Sequence, residues 1–270
     1  MNAVSSAPRI AGLFDRFKQD GRKAFIAYIT GGDPSPALTA SLVLALERGG
    51  ADIVELGVPF SDPIADGPVI QRASDRALKA GTTLKQLLQT VREIRTQSQI
   101  PILLFSYLNP LLRYGLPELA RDAAAAGVDG VLLTDLSIEE ASGPSQMFRD
   151  AGLDTVFLAA PTSSERRLKL VAENSSGFIY LVSRTGVTGT QESLSDSAAP
   201  LAERMRALTN LPLAVGFGVS TPKQVAEVAG IADGVVVGSA IVRFIETNSE
   251  AADLPKRLEE FVRELTSLIR

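Results

Sequence analysis

The sequence contains no histidine, no cysteine and no tryptophan in its 270 residues. Without cysteine the chain has neither disulfide bonds nor thiolate metal ligands, and without histidine it lacks the commonest metal ligand and proton shuttle. A zinc enzyme is therefore not expected, and acid–base chemistry would have to use carboxylates, tyrosines or lysines. The absence of cysteine fits a reducing compartment, so we expect a cytoplasmic protein.

Long apolar runs and a positive charge balance are also missing. No apolar run approaches roughly 20 residues, so no transmembrane helix is expected. The segment Met1–Pro8 has neither the charged nor the apolar region of a signal peptide. The net charge of −4 and the pI of about 5.1 give no basic surface for nucleic acid. We therefore expect neither a membrane nor a nucleic-acid partner.

The length and the apolar content predict one folded domain over residues 1–270. Hydrophobic residues make up 45% of the chain, and charges of both signs are mixed along it. This composition favours an ordered globular protein with a large core. A single α/β barrel has about 250 residues, which is close to this length.

Eight short apolar runs predict strands that are buried on both faces, as in a parallel sheet. They are Ala24–Thr30, Ile53–Gly57, Ile102–Tyr107, Gly130–Thr134, Thr155–Ala159, Phe178–Val182, Leu213–Gly216 and Gly234–Val237. Amphipathic segments between them predict helices. These are Leu38–Gly49, Val69–Ala80, Leu84–Arg95, Leu116–Ala126, Glu139–Ala151, Glu165–Glu173, Ala198–Leu208, Pro222–Ala229 and Ser239–Glu246. We expect one additional helix at the N-terminus.

One helix-to-strand joint recurs along the chain. It is seen in Gly50-Ala51-Asp52, Gly127-Val128-Asp129 and Gly152-Leu153-Asp154, and with one extra residue in Gly230-Ile231-Ala232-Asp233. Each joint is typical of a helix that ends on a left-handed glycine before a strand. Eight strands in strict alternation with helices predict an α/β fold, a (β/α)8 TIM barrel. The alternative is an open doubly wound sheet, but Thr30-Gly31-Gly32-Asp33-Pro34 lacks its G-x-G-x-x-G pattern.

Glu55 places a carboxylate inside an apolar strand. Val54 and Leu56 point the other way, so Glu55 points either into the barrel or toward the helix layer. Inside the barrel, burial would raise its pKa toward that of a general acid. A buried Glu held by a structural Arg or Tyr is the other interpretation.

Asp66 lies close to Glu55 in sequence, in a loop stiffened by prolines between Pro59 and Pro68. The carboxyl ends of barrel strands form the functional face, where these two acids would meet. Tyr107 ends another predicted strand at the same face. Asp66 can equally cap the helix that follows it, so the sequence leaves both interpretations open.

Glycine-rich segments after the last two strands predict a phosphate site. Gly216-Phe217-Gly218 follows the seventh strand, and Gly238-Ser239 follows the eighth at a helix start. These positions form the usual phosphate site of a barrel, where N–H groups and the helix dipole attract an anion. A pair of tight turns is the other interpretation.

The segment from Arg184 to Asp196 follows the sixth strand and begins small, polar and glycine-rich. It is long for a βα loop. It predicts either a closing lid that carries Arg184 and Thr188, or a disordered surface loop.

The candidate residues lie in segments that match one known family in order over almost the whole chain. The longest runs from Glu55 to Gln71. The others are Gly31-Gly32-Asp33-Pro34, Tyr107-Leu108-Asn109-Pro110, the segment from Ser183 to Gly189, Gly216-Phe217-Gly218 and Gly238-Ser239-Ala240. Through these segments the chain resembles the tryptophan synthase alpha subunit family.

The resemblance implies a cofactor-free, metal-free lyase that cleaves indole-3-glycerol phosphate into indole and glyceraldehyde 3-phosphate by a retro-aldol reaction. Glu55 would be the acid–base group, Asp66 would accept the ring N–H, and Tyr107 is the third catalytic candidate. The residues implied for phosphate binding are Gly189, Gly216, Phe217, Gly218, Gly238 and Ser239. Those implied for the indole slot are Tyr28, Ile64, Phe105, Leu132, Tyr180 and Phe217.

The resemblance also implies a partner. The alpha subunit of this family docks on a beta subunit in an alpha2beta2 complex and passes indole to it through a tunnel for the synthesis of tryptophan. Pyridoxal phosphate would belong to that beta subunit. The loop Val58–Asp66 and the Asn109-Pro110 turn would form the contact surface.

Three alternatives to this function stay open. A stand-alone indole-glycerol-phosphate lyase would share the chemistry without the partner. Another phosphate-binding barrel, such as an isomerase or epimerase, would typically recruit Lys, His or a metal, and the absence of histidine disfavours several of these. A non-catalytic structural or regulatory barrel would have no use for both Glu55 and Asp66.

Overall fold

A computed structural model describes residues 8–182, 194–216 and 218–270, the side chains of 194–197 excepted. The strands are β1 (Ala24–Thr30), β2 (Ile53–Gly57), β3 (Ile102–Ser106), β4 (Gly130–Leu133), β5 (Asp154–Val156), β6 (Leu158–Ala159), β7 (Ile179–Val182), β8 (Leu213–Gly216) and β9 (Gly234–Val237). The first six helices are α1 (Arg9–Asp20), α2 (Thr39–Gly49), α3 (Pro68–Lys79), α4 (Leu84–Arg95), α5 (Leu108–Tyr114) and α6 (Leu116–Ala126). The others are α7 (Ser142–Asp150), α8 (Glu165–Asn174), α9 (Leu194–Arg206), α10 (Pro222–Ala229), α11 (Ser239–Thr247) and α12 (Leu254–Thr266).

The strands form one parallel sheet that closes into a barrel. Their order is β5-β4-β3-β2-β1-β9-β8-β7-β6. Only Phe157 separates β5 from β6, so the two segments occupy one strand position. β5 pairs with β4 on one side, and β6 pairs with β7 on the other. The sheet thus has eight strand positions, which confirms the predicted (β/α)8 barrel.

The predicted elements agree closely with the observed ones. β1, β2, β8 and β9 have the predicted ends, and so do α4, α6 and α10. The long predicted helix over Glu139–Ala151 is shorter, because a 3-10 turn over Ile138–Glu140 precedes α7. None of the helices in the described ranges combines the length and apolar character that crossing a bilayer requires. That residues 1–270 form a single domain stays a prediction.

Two helices, α5 and α12, were not predicted. The prediction of a turn at Asn109-Pro110 was wrong. Both residues lie in the first turn of α5. Proline is tolerated there because the N–H groups of a first turn have no partners within the helix. The side chain of Asp135, from the loop after β4, accepts a hydrogen bond from the N–H of Leu108 at 2.7 Å. This contact from outside the helix stabilises its start.

The recurring glycine joint has the predicted geometry in three of its four copies. Gly50, Gly127 and Gly152 end their helices with φ of +110°, +90° and +79°. Gly230 has φ −70° and ψ −22°, so the prediction of a left-handed residue there was wrong. The extra residue of this copy explains the difference, because the N–H of Ala232 still donates to the carbonyl of Val228 and prolongs the helical turn.

The aspartate of the joint has a structural role that its recurrence did not reveal. In three of the four copies it stands just before a strand and accepts an N–H at the start of the neighbouring strand, which otherwise would lack a partner at the barrel rim. The bonds run from Phe25 to Asp52 at 2.8 Å, from Ile102 to Asp129 at 2.7 Å and from Leu213 to Asp233 at 3.0 Å.

The additional N-terminal helix, α1, closes the amino end of the barrel. Its apolar side packs into the barrel interior, where the ring of Phe14 lies 5.9 Å from that of Phe178. Nη1 of Arg9, at the start of α1, contacts Oδ1 of Asp129 at 2.7 Å. Apolar filling and an ion pair therefore hold α1 in place.

Above α1, the inward side chains of the strands form the first layer of the barrel core. This layer includes Ile26, Ile53, Leu103, Leu132, Ala214 and Val236. Two residues further along their strands, the same inward face carries Tyr28, Glu55 and Phe105. The apolar filling of the barrel therefore gives way to a carboxyl group toward the carboxyl end of the strands.

Asp129 provides a test of how the amino end is held together. Its side chain, 5% exposed, accepts hydrogen bonds from Arg9, from Nη2 of Arg95 at 2.8 Å and from the N–H of Ile102. Asp129→Ala would leave the largely buried guanidinium of Arg95 without its carboxylate partner and the N–H of Ile102 without its acceptor, so we expect a loss of about 3–5 kcal/mol in the free energy of unfolding. The urea midpoint, followed by circular dichroism, measures it.

The control is Asp75→Ala, which removes an exposed i,i+4 pair with Lys79. That change should cost about 0–1 kcal/mol. Equal midpoints for the Asp75 and Asp129 variants would contradict the structural role of Asp129.

Candidate active site

A cavity of about 270 Å³ opens at the carboxyl end of the barrel. The inward faces of five strands, the loop before α3 and the start of α11 form its walls. The described residues that line it include both acids singled out in the sequence, Glu55 and Asp66. The cavity is thus at the face where a barrel of this type carries its function.

Glu55 lies on the barrel side of β2 and is 1% exposed. Its Oε1 atom is buried and has no hydrogen-bond partner in the described part of the chain. Burial therefore raises the pKa of this carboxyl group to about 8. No arginine of the described ranges forms an ion pair with it, which argues against the interpretation of Glu55 as one half of a structural ion pair.

Asp66 is half-buried and faces the same cavity from the loop before α3. The residue that caps α3 is Gly67, and no side-chain cap hydrogen bond is present there among the described residues. The interpretation of Asp66 as a helix cap was therefore wrong. Its Oδ2 instead accepts a hydrogen bond from the hydroxyl of Tyr107 at 3.1 Å. Burial raises the pKa of Asp66 to about 6, and this hydrogen bond opposes the rise.

Tyr107 acts behind Asp66 and does not itself line the cavity among the described residues. Its hydroxyl also accepts a hydrogen bond from the N–H of Ala65 at 2.9 Å, and its ring packs against Phe60 at 5.2 Å. Burial, followed by the charge of Asp66, raises the pKa of Tyr107 well above its usual value. Tyr107 therefore stays a neutral donor that fixes the position of Asp66.

Aromatic rings form an apolar slot beside Glu55. Tyr28 and Phe105 meet edge to face with centroids 5.1 Å apart, and Tyr180 lines the cavity with them. Two glycines make room for the tyrosines. A Cβ atom on Gly57 would collide with the hydroxyl of Tyr28, and one on Gly216 would collide with that of Tyr180.

Not every residue predicted for the slot lies in the cavity wall. Leu132 is fully buried in the layer below it, and Ile64 is 87% exposed on the loop. Among the described residues, neither lines the cavity. Phe217, predicted for the slot and for the phosphate, lies outside the described residues, as do Gly189, Arg184 and Thr188.

The phosphate candidates that the structure describes belong to the wall of the same cavity. Gly218, Gly238 and Ser239 line it together. Gly218 has φ +84°, a conformation that favours glycine. Gly238 is the N-cap of α11 and lines the cavity, so the N–H groups of the first turn, which have no partners within the helix, and the positive end of the helix dipole lie at the cavity wall. This arrangement favours an anion. Gly216 ends β8 under the ring of Tyr180.

Arg243 also lines the cavity and was not predicted from the sequence. The signal was its spacing, because it follows Ser239 by four residues and so shares a face of α11 with it. Within the described ranges there is no group of three or more acids that could hold a metal ion.

Comparison with known proteins places this geometry in a family. The family model described as tryptophan synthase alpha chain matches residues 14–270. The tryptophan synthase alpha chain of Solibacter usitatus (strain Ellin6076) is 63% identical over 257 residues, covering 95% of this chain and 96% of that protein. The chain belongs to the tryptophan synthase alpha chain family. The lyase activity expected from the resemblance is thus confirmed as that of its family.

Solved structures agree with this assignment to the tryptophan synthase alpha chain family. Tryptophan synthase subunit alpha from Legionella pneumophila str. Paris superposes with a TM-score of 0.89 at 37% identity, covering 98% of this chain and 99% of that one. A chain of the tryptophan synthase complex from Pyrococcus furiosus superposes with a TM-score of 0.81 at 38% identity, covering 91% and 99%. These neighbours confirm the barrel fold.

The raised pKa of Glu55 makes the stability of the protein depend on pH. A carboxyl group whose pKa rises from 4.5 to about 8 on folding binds more protons in the folded state between these values. Its contribution to stability is therefore fully present below about pH 4.5 and is lost as the pH rises through about 8. Each unit of pKa corresponds to about 1.4 kcal/mol.

Glu55→Gln removes this titration without changing the size of the side chain. We expect the variant to gain unfolding free energy relative to the natural protein between about pH 5 and about pH 9, as measured by urea unfolding at several pH values. Parallel pH profiles for the two proteins would show that Glu55 ionises normally.

Proposed function

We propose that this chain cleaves indole-3-glycerol phosphate in the cavity at the carboxyl end of the barrel, with Glu55 and Asp66 as its catalytic residues. One observation carries the proposal. Glu55 is a desolvated carboxyl group without a hydrogen-bond partner for Oε1 in the described part of the chain, and it faces the same cavity as a second carboxyl group held in another environment.

The reaction defines what each group has to do. The bond between the indole ring carbon and the glycerol chain breaks, and its electron pair stays on the ring carbon, which takes up a proton. The glycerol hydroxyl loses its proton and becomes the aldehyde oxygen. Positive charge that develops at the ring N–H before cleavage has to be stabilised.

Glu55 and Asp66 fit these two tasks through their different environments. With a pKa of about 8, Glu55 holds a proton at neutral pH that it can donate to the ring carbon, and as a carboxylate it can accept the hydroxyl proton. With a pKa of about 6, Asp66 is mostly ionised at neutral pH and can accept the ring N–H. Identical groups in different environments often take such separate roles.

Tyr107 positions Asp66 in this proposal. It donates to Oδ2 and holds the neighbouring N–H of Ala65, so one carboxylate oxygen stays directed at the cavity. Tyr107→Phe would remove both contacts at once. Tyr107 thus belongs to the catalytic set by acting through Asp66.

The indole ring and the phosphate of the substrate are assigned to the parts of the cavity whose chemistry suits them. The apolar slot of Tyr28, Phe105 and Tyr180 suits the indole ring, and the start of α11 suits the phosphate. Leu132 supports the slot from below. Ile64, Gly189, Gly216 and Phe217, and a lid that carries Arg184 and Thr188, stay predictions.

A beta subunit as partner is part of the proposal. The matched structure from Pyrococcus furiosus is that of a tryptophan synthase complex. Of the two segments expected at the contact, Val58–Asp66 and Asn109-Pro110, the part from Val58 to Asp62 and both residues of the second line one groove of about 690 Å³ outside the active site. The retro-aldol steps above use side chains alone, so we place pyridoxal phosphate in the partner and no cofactor in this chain. A cytoplasmic location stays a prediction.

The experiment that tests this function is an indole-release assay on indole-3-glycerol phosphate, with the isolated chain and after addition of a tryptophan synthase beta subunit. We expect indole from the chain alone and a strong increase with the partner. Full activity without any increase would favour the stand-alone lyase. No indole under either condition would overturn the proposed reaction.

The two acids are tested by isosteric replacement in the same assay. Glu55→Gln should abolish indole release, and Asp66→Asn should lower kcat by about 10²-fold or more, because each removes an acid–base or charge-stabilising group. The exposed Asp75, which pairs with Lys79 on the surface of α3, gives the control Asp75→Asn, whose activity should not change. Near-normal turnover of either active-site variant would remove that residue from the mechanism.

A further inference from the structure

Arg243 brings a full positive charge to the wall of the cavity. It lies on α11 four residues after Ser239, so the two side chains share one face of the helix. The Cα–Cβ bonds of a helix tilt toward its N-terminus, so the long side chain of Arg243 leans back over the turn that begins at Gly238. Gly238, Ser239 and Arg243 accordingly line the same cavity.

Arg243 is exposed and has no ion-pair partner in the described part of the chain. Glu246, three residues later on α11, is close enough in sequence to pair with it. However, Glu246 is already bound by α3: Arg72 contacts both of its oxygens at 2.8 Å, and Nη1 of Arg76 contacts Oε1 at 2.7 Å. The helix that follows Asp66 therefore neutralises Glu246 and leaves the charge of Arg243 free.

The cavity has an uneven distribution of charge. Among the described residues that line it, Arg243 is the single cation, whereas Glu55 and Asp66 are both acids. A phosphate ester carries about −1.5 to −2 at neutral pH and is repelled by an ionised Asp66. The start of α11 offers only about half a positive charge. A full cation at that end of the cavity would offset this repulsion.

We propose that Arg243 binds the phosphate of the substrate and makes the enzyme select phosphorylated over unphosphorylated substrates; this inference rests on the proposed function. The guanidinium and the N–H groups at the start of α11 hold the phosphate from two sides. Because the contact is equally strong before and during bond cleavage, it contributes to substrate binding and leaves the chemical step unchanged.

The kinetic test compares indole-3-glycerol phosphate with indole glycerol, the same molecule without its phosphate. Arg243→Met keeps the length of the side chain and removes its charge. It should raise KM for the phosphorylated substrate about tenfold, the size of one charge-assisted hydrogen bond, with kcat within about twofold. For indole glycerol, kcat/KM should change by less than about twofold. Arg243→Lys should restore most of the affinity.

A matched control separates local from general effects of charge. Arg16 is an exposed arginine of α1 at the opposite end of the barrel, without an ion-pair partner in the described residues. Arg16→Met should leave both substrates unaffected. Equal losses of Arg243→Met on the two substrates, or an unchanged KM for the phosphorylated one, would overturn the assignment.

A binding measurement keeps this inference separate from the proposed reaction. Glycerol 3-phosphate, titrated into the natural protein by calorimetry, should bind about tenfold more tightly than to Arg243→Met, and Gly238→Asp should abolish binding by placing a carboxylate at the site. Equal affinities for the natural protein and Arg243→Met would refute the role of Arg243 even if indole is released. Charge-dependent binding without indole release would support Arg243 and refute the reaction.

Discussion

The structure depends on the burial of one uncompensated carboxyl group, that of Glu55, inside a parallel barrel. An ionised carboxylate in such a place costs several kcal/mol, so the group keeps its proton at neutral pH. Glu55 keeps this proton only if water is excluded around it and no strong hydrogen-bond donor stabilises its charged form. The apolar layer beneath Glu55, which α1 closes from the amino end, and the aromatic rings beside it meet both requirements. Helix α1, which closes the amino end of the barrel, therefore helps to keep Glu55 protonated toward the carboxyl end.

Space for a ligand at this level depends on glycine. The interior of an eight-stranded barrel is just wide enough for its own side chains to fill. Tyr28 and Tyr180 lie over Gly57 and Gly216, the last residues of strands β2 and β8, where any side chain would collide with the hydroxyl groups. The rings are thus held against the barrel wall beside the cavity. These glycines resemble turn residues in the sequence, but at both positions the structure gives them a packing role.

The sequence predicted the strands almost to the residue, because strands buried on both faces appear as uninterrupted apolar runs between turn formers. It left open which way Glu55 faces, since alternation gives two faces and only the closed barrel defines the inner one. It could not decide between a cap and a catalytic role for Asp66, because the deciding contact comes from Tyr107, more than forty residues away. It missed α5, because the acceptor for the N–H at the start of that helix is Asp135 of another loop. It also missed Arg243, because two arginines of α3 pair with Glu246 and so leave Arg243 without an ion-pair partner in the described part of the chain.

The two acids show how one cavity can hold a protonated and an ionised carboxyl group at the same pH. Desolvation raises the pKa of both, but among the described residues a hydrogen-bond donor, the hydroxyl of Tyr107, lowers the pKa of Asp66 and none lowers that of Glu55. Their pKa values of about 8 and about 6 bracket neutrality, so between them Glu55 is mainly an acid and Asp66 mainly a base. Removing the hydroxyl of Tyr107 would raise the pKa of Asp66 toward that of Glu55. A donor to the charged form of Glu55 would lower the pKa of Glu55 toward that of Asp66. Acid–base chemistry near neutral pH therefore does not need a histidine here, because burial and one hydrogen bond place the pKa values of two carboxyl groups on either side of neutrality.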